Sequence, residues 1–334
     1  MSIVCAIESS CDDTSVAIVE NTNNIFGIQT MYAYSQITDH QQYHGVVPEI
    51  AYRIHSEKIL PLILQIGLDT IKSCDAIAVT THPGLPWSLI VGVTVAQTLA
   101  QFFQKKLLKI NHIDGHLVSL LLDRSLDDIQ LPMVVLSASG GHTSLFHIDT
   151  IPHSQAHALG PWWIRPLGLT LDDAAGECFD KVSTMLWWPY PWWPWIDQQA
   201  QKGKKNPLIN YKAVILHKDS LDFSFSGMKS QTYQLLQRLK KNWIWLDDQL
   251  INDIAYQFQE TMIDILLQKI RLALRQTHAT TLWVVWWVSA NTRLQKAVAD
   301  LQAEWVTYYT PRKMSYCVDN AAMIGVAGLL QLSA

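Results

Sequence analysis

The chain lacks several features that would have narrowed its class at once. Its 334 residues contain only five cysteines and no CxxC pair, so a reducing compartment fits better than a disulfide framework. No apolar run reaches the roughly 18 residues that predict a membrane span, and the amino terminus has no signal-peptide pattern. The net charge of −4 gives no global signal for nucleic acid, although a basic patch can occur on an acidic protein. We therefore expect a cytoplasmic protein without a membrane segment.

Glycine is also scarce, whereas tryptophan is abundant. The sequence has 15 glycines, below the usual share of about 7%, and 14 tryptophans. The tryptophans are clustered rather than scattered, which is unlike ordinary core aromatics. Their main clusters are Trp162–Trp163, Trp187–Trp188, Trp192–Trp195 and Trp283–Trp287.

One supersecondary pattern occurs twice along the chain. Residues 3–7 and 15–19 read as two strands around a polar turn, and residues 133–138 and 143–148 repeat this arrangement around Ser-Gly-Gly-His. Two similar halves indicate a duplicated α/β domain with a cleft between the copies.

The other predicted strands and helices lead to a prediction of two domains. A buried strand is predicted at 76–80 and a short strand at 106–110. Helical spacing predicts helices over residues 49–66, 88–103, 172–186, 247–275 and 291–304, with a final helix from about Asp319. We place one domain at 1–130, to which the final helix can return, and a second at 131–334. The polar, basic stretch at 201–220 is predicted to be an exposed insert of the second domain.

His112 and His116 are the most informative residues. Two histidines four apart share one helix face and can bind one metal ion. The pair alone is more often structural than ligating, and Ile113 occupies the position where a zinc peptidase has its glutamate base. A site needs a third ligand, and Asp319 is the best candidate.

Two turns and one acidic segment add candidate binding groups. Glu8, Asp12 and Asp13 could hold a cation in the first turn, or could be ordinary polar turn formers. Gly140 and Gly141 offer backbone N–H groups to an anion, which is weak evidence in isolation. The segment 170–183 carries four carboxylates beside Ala-Ala-Gly, which favours a polar ligand over a plain solvated face. These carboxylates are Asp172, Asp173, Glu177 and Asp180.

Taken in order, these segments resemble the tRNA N6-adenosine threonylcarbamoyltransferase (TsaD-like) family, formerly called O-sialoglycoprotein endopeptidases. The resemblance covers nearly the whole chain and is specific because many motifs occur in the same order. The motifs are ESSCDDT, HGVVPEIAYRIH, PGL, HIDGH, SGGHTSL, LDDAAGECFDKV, DFSFSGMKS, SANTRL and VDNAAMIG.

The resemblance implies two actin-like (ASKHA) domains with the ligand in the cleft between them. It implies transfer of threonylcarbamoyl from threonylcarbamoyl-AMP to N6 of adenosine 37 in tRNAs that read codons beginning with A. His112, His116 and Asp319 would bind iron or zinc, and magnesium could accompany the nucleotide. The implied adenylate-binding residues are Ser137, Ala138, Ser139, Gly140, Gly141, Asp180, Trp193 and Asn291.

The implied chemistry requires little of the protein. The donor is an activated mixed anhydride, so the metal need only orient it and stabilise negative charge. Glu8, Asp12 and Asp13 would lie near the reacting group, and Asp12 or Asp13 is the candidate base for the N6 proton. Family members work with a paralogous partner subunit and a small ATPase. Lys202 to Lys205 could contact tRNA, although a solvated loop is the plainer interpretation.

The chain departs from the family where glycine is expected. Trp87 follows the PGL turn, and four further tryptophans fill two turns that would flank the nucleotide. These four, called the turn tryptophans below, are Trp192, Trp193, Trp286 and Trp287. Indoles cannot replace glycine in a turn that needs positive φ or close ligand approach, so we expect poor adenylate binding.

Three explanations for the turn tryptophans stay open. They are deliberate substitutions, positions at which the recorded sequence is in error, or marks of a paralogue that has lost nucleotide binding. An altered or misrecorded family member is favoured, because the other motif residues are intact. The alternative function is a non-catalytic ASKHA scaffold subunit, which intact metal ligands disfavour. A metalloprotease is weaker still.

Overall fold

The protein folds as two β-sheets flanked by helices. The computed structural model describes residues 1–43, 45–152, 155–188, 193–213, 219–285, 291–302 and 306–333. The strands are β1 (Ser2–Glu8), β2 (Asp13–Thr22), β3 (Ile25–Ser35), β4 (Ala76–His82), β5 (Lys106–Asn111), β6 (Met133–Ala138), β7 (Thr143–Asp149), β8 (His157–Leu159), β9 (Trp162–Leu169), β10 (Thr281–Val285) and β11 (Thr307–Tyr309).

Eleven α-helices are assigned within the described ranges. They are α1 (Ile37–His40), α2 (Pro48–Ile66), α3 (Leu68–Ser73), α4 (Pro86–Phe103), α5 (His112–Val118), α6 (Ala175–Met185), α7 (Trp193–Ala200), α8 (Ser226–Lys241), α9 (Asp248–Thr277), α10 (Thr292–Gln302) and α11 (Ala321–Ser333). The helices predicted at 49–66, 88–103 and 247–275 agree with α2, α4 and α9 to within two residues.

The two sheets repeat one topology, as the duplicated pattern predicts. Sheet 1 has the order β3-β2-β1-β4-β5, in which β1 to β3 are antiparallel and β1, β4 and β5 are parallel. Sheet 2 has the order β11-β10-β6-β7-β9-β8, with the same antiparallel and parallel halves and β8 added at one edge. The fold is therefore the α/β, two-domain actin-like architecture.

Strand β1 shows how the sequence builds these layers. Its residues are apolar on both faces, as expected for a strand covered on both sides. Val4 and Ala6 belong to a core that α11 and both sheets share, whereas Cys5 and Ile7 pack beneath α2 and α4. The far face of sheet 2 is covered by α6, α8 and α9 in a third core.

The final helix packs on the first sheet and thereby crosses back to the start of the chain. Helix α11 contacts β1, β2, β4, β5 and α5. Gly325 has no room for a Cβ beside Val19, and a Cβ at Gly328 would come within 2.8 Å of Ala78. These two glycines let the helix lie close against the sheet, which fixes the position of the residues that precede it.

The prediction that no apolar run is long enough to span a membrane is wrong for helix α4. This helix spans 18 residues and is long and apolar enough, by length and composition only, to cross a membrane. It packs against α2 and β4 on the flank of sheet 1, and 28% of it is buried. A single helix of this kind is weak evidence for a membrane span.

Candidate metal centre and adenylate cleft

Three side chains from distant parts of the chain converge at one point. The Nε2 atom of His116 lies 3.0 Å from Oδ1 of Asp319 and 3.3 Å from Nε2 of His112. Nε2 of His112 is 3.5 Å from the same Asp319 oxygen. Both histidines are buried, and one ligand atom from each of the three residues lies within 4.8 Å of the others.

The spacing fits a bound transition-metal ion. Ligand atoms about 2.1 Å from an ion lie about 3.0 Å apart in octahedral and about 3.4 Å apart in tetrahedral coordination. The three observed separations span 3.0 to 3.5 Å. Two imidazoles and one carboxylate are ligands that suit iron and zinc. The residues therefore fit the metal that the sequence predicts, and the spacing does not choose between these geometries.

Helix α5 and the start of α11 bring the three ligands together. The Asn111 side chain accepts a hydrogen bond from Ile113 N at 2.8 Å and so caps α5 immediately before His112. Asn320 Oδ1 accepts one from Met323 N at 2.9 Å and caps α11 immediately after Asp319. Gly115 has no side chain between the helices, and a Cβ there would come within 2.8 Å of Ile324.

Glu8 supports the site from behind His112. The Nδ1 atom of His112 lies 3.2 Å from Glu8 Oε2 and 3.1 Å from Ser10 Oγ, so Nε2 is left to face the metal position. Glu8 also accepts hydrogen bonds from Ser10 N at 2.6 Å and from the Thr80 hydroxyl, and it is fully buried. A carboxylate that orients a histidine ligand is the usual second layer of a metal site. The structure therefore favours a positioning role for Glu8 over contact with substrate.

Without a metal, His112 rather than His116 carries the positive charge of the cluster. Burial would lower the pKa of His112, but the charges of Asp319 and Glu8 raise it to about 9. Burial opposes ionisation of Glu8, yet His112, with the hydrogen bonds from Ser10 and Thr80, lowers the Glu8 pKa to about 2. Burial raises the pKa of Asp319 to about 6 against the opposing charge of His112. Burial and the charge of His112 hold the pKa of His116 well below its usual value.

Asp12 and Asp13 lie beside this cluster, and the pKa of each is raised. Burial, followed by the charges of Asp12 and Asp319, raises the pKa of Asp13 to about 8. Burial and the charge of Asp319 also raise the pKa of Asp12. Neither carboxylate is among the three converging ligands. A carboxyl group with a pKa near neutrality is suited to exchange a proton during a reaction.

The turn that carries these carboxylates is fixed by residues that the sequence analysis did not single out. Nε2 of His55 in α2 lies 2.8 Å from the Cys11 carbonyl oxygen, and its Nδ1 lies 2.7 Å from Thr14 Oγ1. His40 contacts Gln36 on the neighbouring segment. His55 closes the motif HGVVPEIAYRIH, so the signal was present but its role required the fold.

The Ser-Gly-Gly-His turn faces the metal centre from sheet 2. Ser139 Oγ accepts hydrogen bonds from Gly141 N at 3.2 Å and His142 N at 2.9 Å, which tightens the turn. A Cβ added at Gly140 or Gly141 would meet nothing within 4 Å, so space is open beside both. Burial, then the charge of His112, lowers the pKa of His142, which places the turn in the electrostatic range of the metal ligands.

The other residues predicted to bind the adenylate differ in how accessible they are to a ligand. Ser137 and Ala138 are buried inside strand β6, so only the exposed end of their motif is open to a ligand. Gly176 N donates to the Ser139 carbonyl at 3.1 Å, so the turn is joined to α6, which carries Asp180. Burial, then the charge of Glu177, raises the pKa of Asp180 to about 7.

Asn291 is committed to the fold in this structure. It is buried, its Oδ1 accepts from Leu294 N at 2.9 Å, and its Nδ2 donates to Gln259 at 2.8 Å. Its side chain therefore caps α10, and both of its polar groups are used internally. Trp193 is the first residue of α7. Three of the turn tryptophans, Trp192, Trp286 and Trp287, lie outside the described residues.

The acidic segment 170–183 is not one helical face. Helix α6 begins at Ala175, and Asp172 lies before this helix and binds the start of α8. Asp172 accepts hydrogen bonds from Phe225 N at 2.8 Å and Ser226 N at 3.2 Å, and from two serine hydroxyls. Asp173 pairs with Lys181 at 3.0 Å and Lys229 at 2.8 Å. The expected polar ligand is therefore replaced at these two carboxylates by neighbouring protein groups.

Comparison with known proteins agrees with the resemblance found in the sequence. Residues 27–326 match the family model described as TsaD: tRNA N6-adenosine threonylcarbamoyltransferase. The enzyme of that name from Thermodesulfovibrio yellowstonii is 39% identical over 98% of this chain and 93% of its own length. The one from Fervidobacterium nodosum is 38% identical over 98% of this chain and 92% of its own.

Among solved structures, the fold is shared much more widely than the sequence. Full-length HypF in its phosphate- and nucleotide-bound form is 10% identical, with a TM-score of 0.56 over 99% of this chain and 46% of that chain. At this identity the likeness shows the fold alone.

Proposed function

Because the chain belongs to the tRNA N6-adenosine threonylcarbamoyltransferase family, and is therefore an enzyme that transfers threonylcarbamoyl to N6 of adenosine in tRNA, we propose that His112, His116 and Asp319 hold the metal ion used in this reaction. The observation that carries the proposal is the convergence of their three ligand atoms at separations of 3.0 to 3.5 Å. Iron or zinc is the proposed ion. When bound, it would orient the oxygens of the donor and stabilise negative charge that develops on them.

The donor in this proposal is threonylcarbamoyl-AMP and the acceptor is adenosine 37 of tRNAs that read codons beginning with A. The N6 nitrogen forms a bond to the carbamoyl carbon, and the bond from that carbon to the phosphate oxygen breaks. AMP leaves with the electron pair, and the N6 proton passes to a carboxylate. Asp13 or Asp12 is the proposed acceptor, because each lies beside the metal ligands and has a raised pKa. A cation bound to Asp319 would remove one of the repulsions that raise these values.

The proposed adenylate site is the open side of the Ser-Gly-Gly-His turn. The exposed backbone of Gly140 and Gly141 can approach a phosphate without steric hindrance. Asp180 on α6 lies next to the turn and can accept a hydrogen bond from a ribose hydroxyl. A magnesium ion with the nucleotide is compatible with these acidic surroundings. The turn tryptophans belong to the segments that close this site in the family, so the proposed affinity for adenylate is low.

The proposed partners are a paralogous subunit and a small ATPase of the same modification system. Helices α2 and α4 present exposed apolar side chains, of which Phe102 is 76% and Leu64 is 68% exposed. Trp87, which contacts Tyr52 of α2, is also exposed on this flank. Apolar patches of this kind mark surfaces that bind other proteins. We place the partner subunit here and the whole assembly in the cytoplasm.

The test is transfer of labelled threonylcarbamoyl to tRNA, with the partner subunit and ATPase supplied, by the wild-type chain and by Asp319→Asn. The matched control is Asp248→Asn, which also neutralises a carboxylate at the start of a helix but lies in an exposed first turn. Asp319→Asn should lose bound metal and transfer, and Asp248→Asn should keep both. Metal content and transfer equal to wild type in Asp319→Asn would contradict the proposal. A wild-type chain that binds its partner subunit but neither metal nor donor would identify a scaffold.

A further inference from the structure

Basic charge is concentrated in one part of this acidic protein. Residues 202–246 contain nine lysines and arginines and two aspartates, a net charge of +7 in a chain whose total is −4. The remainder of the chain therefore carries −11. Such an asymmetry steers a polyanion to one surface and repels it from the others.

Seven of the basic side chains in this region are exposed, and together they are called the basic face. They are Lys202, Lys204, Lys205, Lys212, Arg238, Lys240 and Lys241. By contrast, Lys229 within this region and Lys181 outside it pair with Asp173, Arg293 pairs with Glu260, and Lys313 pairs with Asp123. Within the described part of the chain, no carboxylate lies within ion-pairing distance of the basic face. Its charge is therefore available to an external anion.

The basic face is built on an anchored backbone rather than on a loose loop. Gly203 packs so closely on α9 that a Cβ would overlap the Asn252 carbonyl. Lys204 N donates to Asp253 at 2.9 Å, and Arg238 donates to the Leu208 carbonyl at 2.6 Å. Lys212 N donates to Gln231 of α8 at 2.8 Å. The segment is thus anchored to both α9 and α8, so the backbone that carries its exposed lysines is fixed.

A groove runs along this surface. It has a volume of about 610 Å³ and lies between residues 210–212 and helix α8. Lys212 and Arg238 contribute to its walls, and Gln234 adds an exposed amide group that can bind phosphate or sugar oxygens. Gln231 also lines the groove, but its amide is bound to the Lys212 backbone. Both cationic and neutral hydrogen-bond donors are therefore present, as in surfaces that hold a nucleic-acid backbone.

Helix α8 connects the groove with the proposed adenylate cleft. It begins at Ser226, where Asp172 binds its first turn, and it packs against α6, which carries Asp180. Arg238 lies twelve residues further along, about 18 Å at 1.5 Å per residue. An RNA whose reacting base occupies the cleft would run its phosphates across the surrounding surface over such distances.

We infer that the basic face is the surface on which tRNA is held while its adenosine enters the cleft. The inference rests on the tRNA substrate of the proposed function and adds the place of binding. Phosphates would be neutralised by the exposed lysines, and the groove would position the backbone without reading sequence.

The test compares tRNA affinity and transfer kinetics in two variants with equal charge change. The first is Lys204→Gln/Lys205→Gln/Lys240→Gln/Lys241→Gln, none of whose side chains anchors the fold. The control replaces four exposed lysines elsewhere. These are Lys72→Gln/Lys106→Gln/Lys109→Gln/Lys296→Gln.

The basic-face variant should bind tRNA at least about tenfold more weakly, and the slope of log K against log salt should fall by about 3. Its KM for tRNA should rise while kcat and metal content stay unchanged, and the control should lie within about twofold of wild type. Equal losses in both variants, or unchanged tRNA binding with lost ATPase-subunit binding, would overturn the inference. A wild-type chain that binds tRNA through this face but does not transfer would instead refute the proposed function.

Discussion

Replacing Glu8 with glutamine tests the residue that orients His112 and leaves the three proposed metal ligands unchanged. Glu8 is fully buried and accepts hydrogen bonds from Ser10 N, the Thr80 hydroxyl and His112. Glutamine has nearly the same shape but places an NH2 group where one of these donors must be received. It also removes the negative charge that helps to hold the Nδ1 proton on His112. The ring would then lose the partner that fixes its orientation.

The size of this effect can be estimated from metal sites in general. Loss of a second-layer partner typically weakens metal binding 10- to 100-fold, which is about 1.4 to 2.7 kcal/mol. We expect Glu8→Gln to fall in this range, because all three ligands remain. Competition with a chelator of known affinity measures the change. Circular dichroism confirms that the variant is folded.

The matched control is Glu49→Gln, which removes a carboxylate that is 70% exposed and pairs with Arg53 on the same helix. Its metal affinity should equal that of wild type. If Glu8→Gln bound the metal within twofold of wild type, the orientation argument for His112 would be refuted. If it lost binding completely, Glu8 would have to be a ligand itself.

Three further predictions concern protonation and the unusual tryptophans. Because His112 has a pKa of about 9 without metal, against 6.5 when unfolded, its ion pairs stabilise the metal-free fold fully below pH about 6.5, and this contribution is lost as pH rises through 9. Metal binding at pH 7.5 should therefore release close to one proton, which calorimetry in buffers of different ionisation enthalpy detects; no release would contradict the assignment. Trp187 and Trp243 have φ of 62° and 55°, so Trp187→Gly and Trp243→Gly should each raise the free energy of unfolding by about 1 kcal/mol. The control, Trp245→Gly, lies outside the left-handed region and should not stabilise the fold. Denaturant titration measures the free energy of unfolding of all three variants. Glycine restored at all four turn tryptophans should increase affinity for AMP, and calorimetry showing equal affinity in both chains would remove that reasoning.

The left-handed tryptophans also bear on the three explanations left open by the sequence. Both follow the end of a helix, where glycine is the usual residue. Glycine would thus suit Trp187 and Trp243 on backbone grounds, independently of any family motif. If the recorded sequence is in error, peptides of the protein made in its own cell should show the mass of glycine at these positions. Peptides with the mass of tryptophan would establish genuine substitutions.

The sequence predicted the parts of the fold that depend on local pattern. The duplicated strand–turn–strand unit was visible because β1, β2, β6 and β7 are short apolar runs around polar turns. Strand β9 was missed because Pro166 interrupts its pattern; the structure accommodates this proline next to a register shift opposite Phe146. The antiparallel strand β3 follows the Asn23-Asn24 turn and was missed because Gly27, Gln29 and Thr30 interrupt its apolar positions.

The candidate site was predictable only in part from local spacing. The His112–His116 pair follows from helix periodicity, but Asp319 lies more than two hundred residues away and no local rule connects them. Their meeting depends on α11 returning to sheet 1, which Gly325 and Gly328 allow by close packing. Asp319 was the candidate third ligand, the resemblance supported it, and the fold supplies its physical reason. The roles of Glu8 behind His112, and of Asp172 in capping α8, required the structure.

The central claim is that two imidazoles and one carboxylate form the metal centre of this enzyme. X-ray absorption at the metal edge of the loaded protein tests it most directly. The account predicts one ion per chain, with two imidazole nitrogens and a carboxylate oxygen at about 2.0 to 2.2 Å. Sulfur at about 2.3 Å would contradict it, because Cys317 lies two residues from Asp319 and is also buried. An ion without imidazole scattering would contradict it equally.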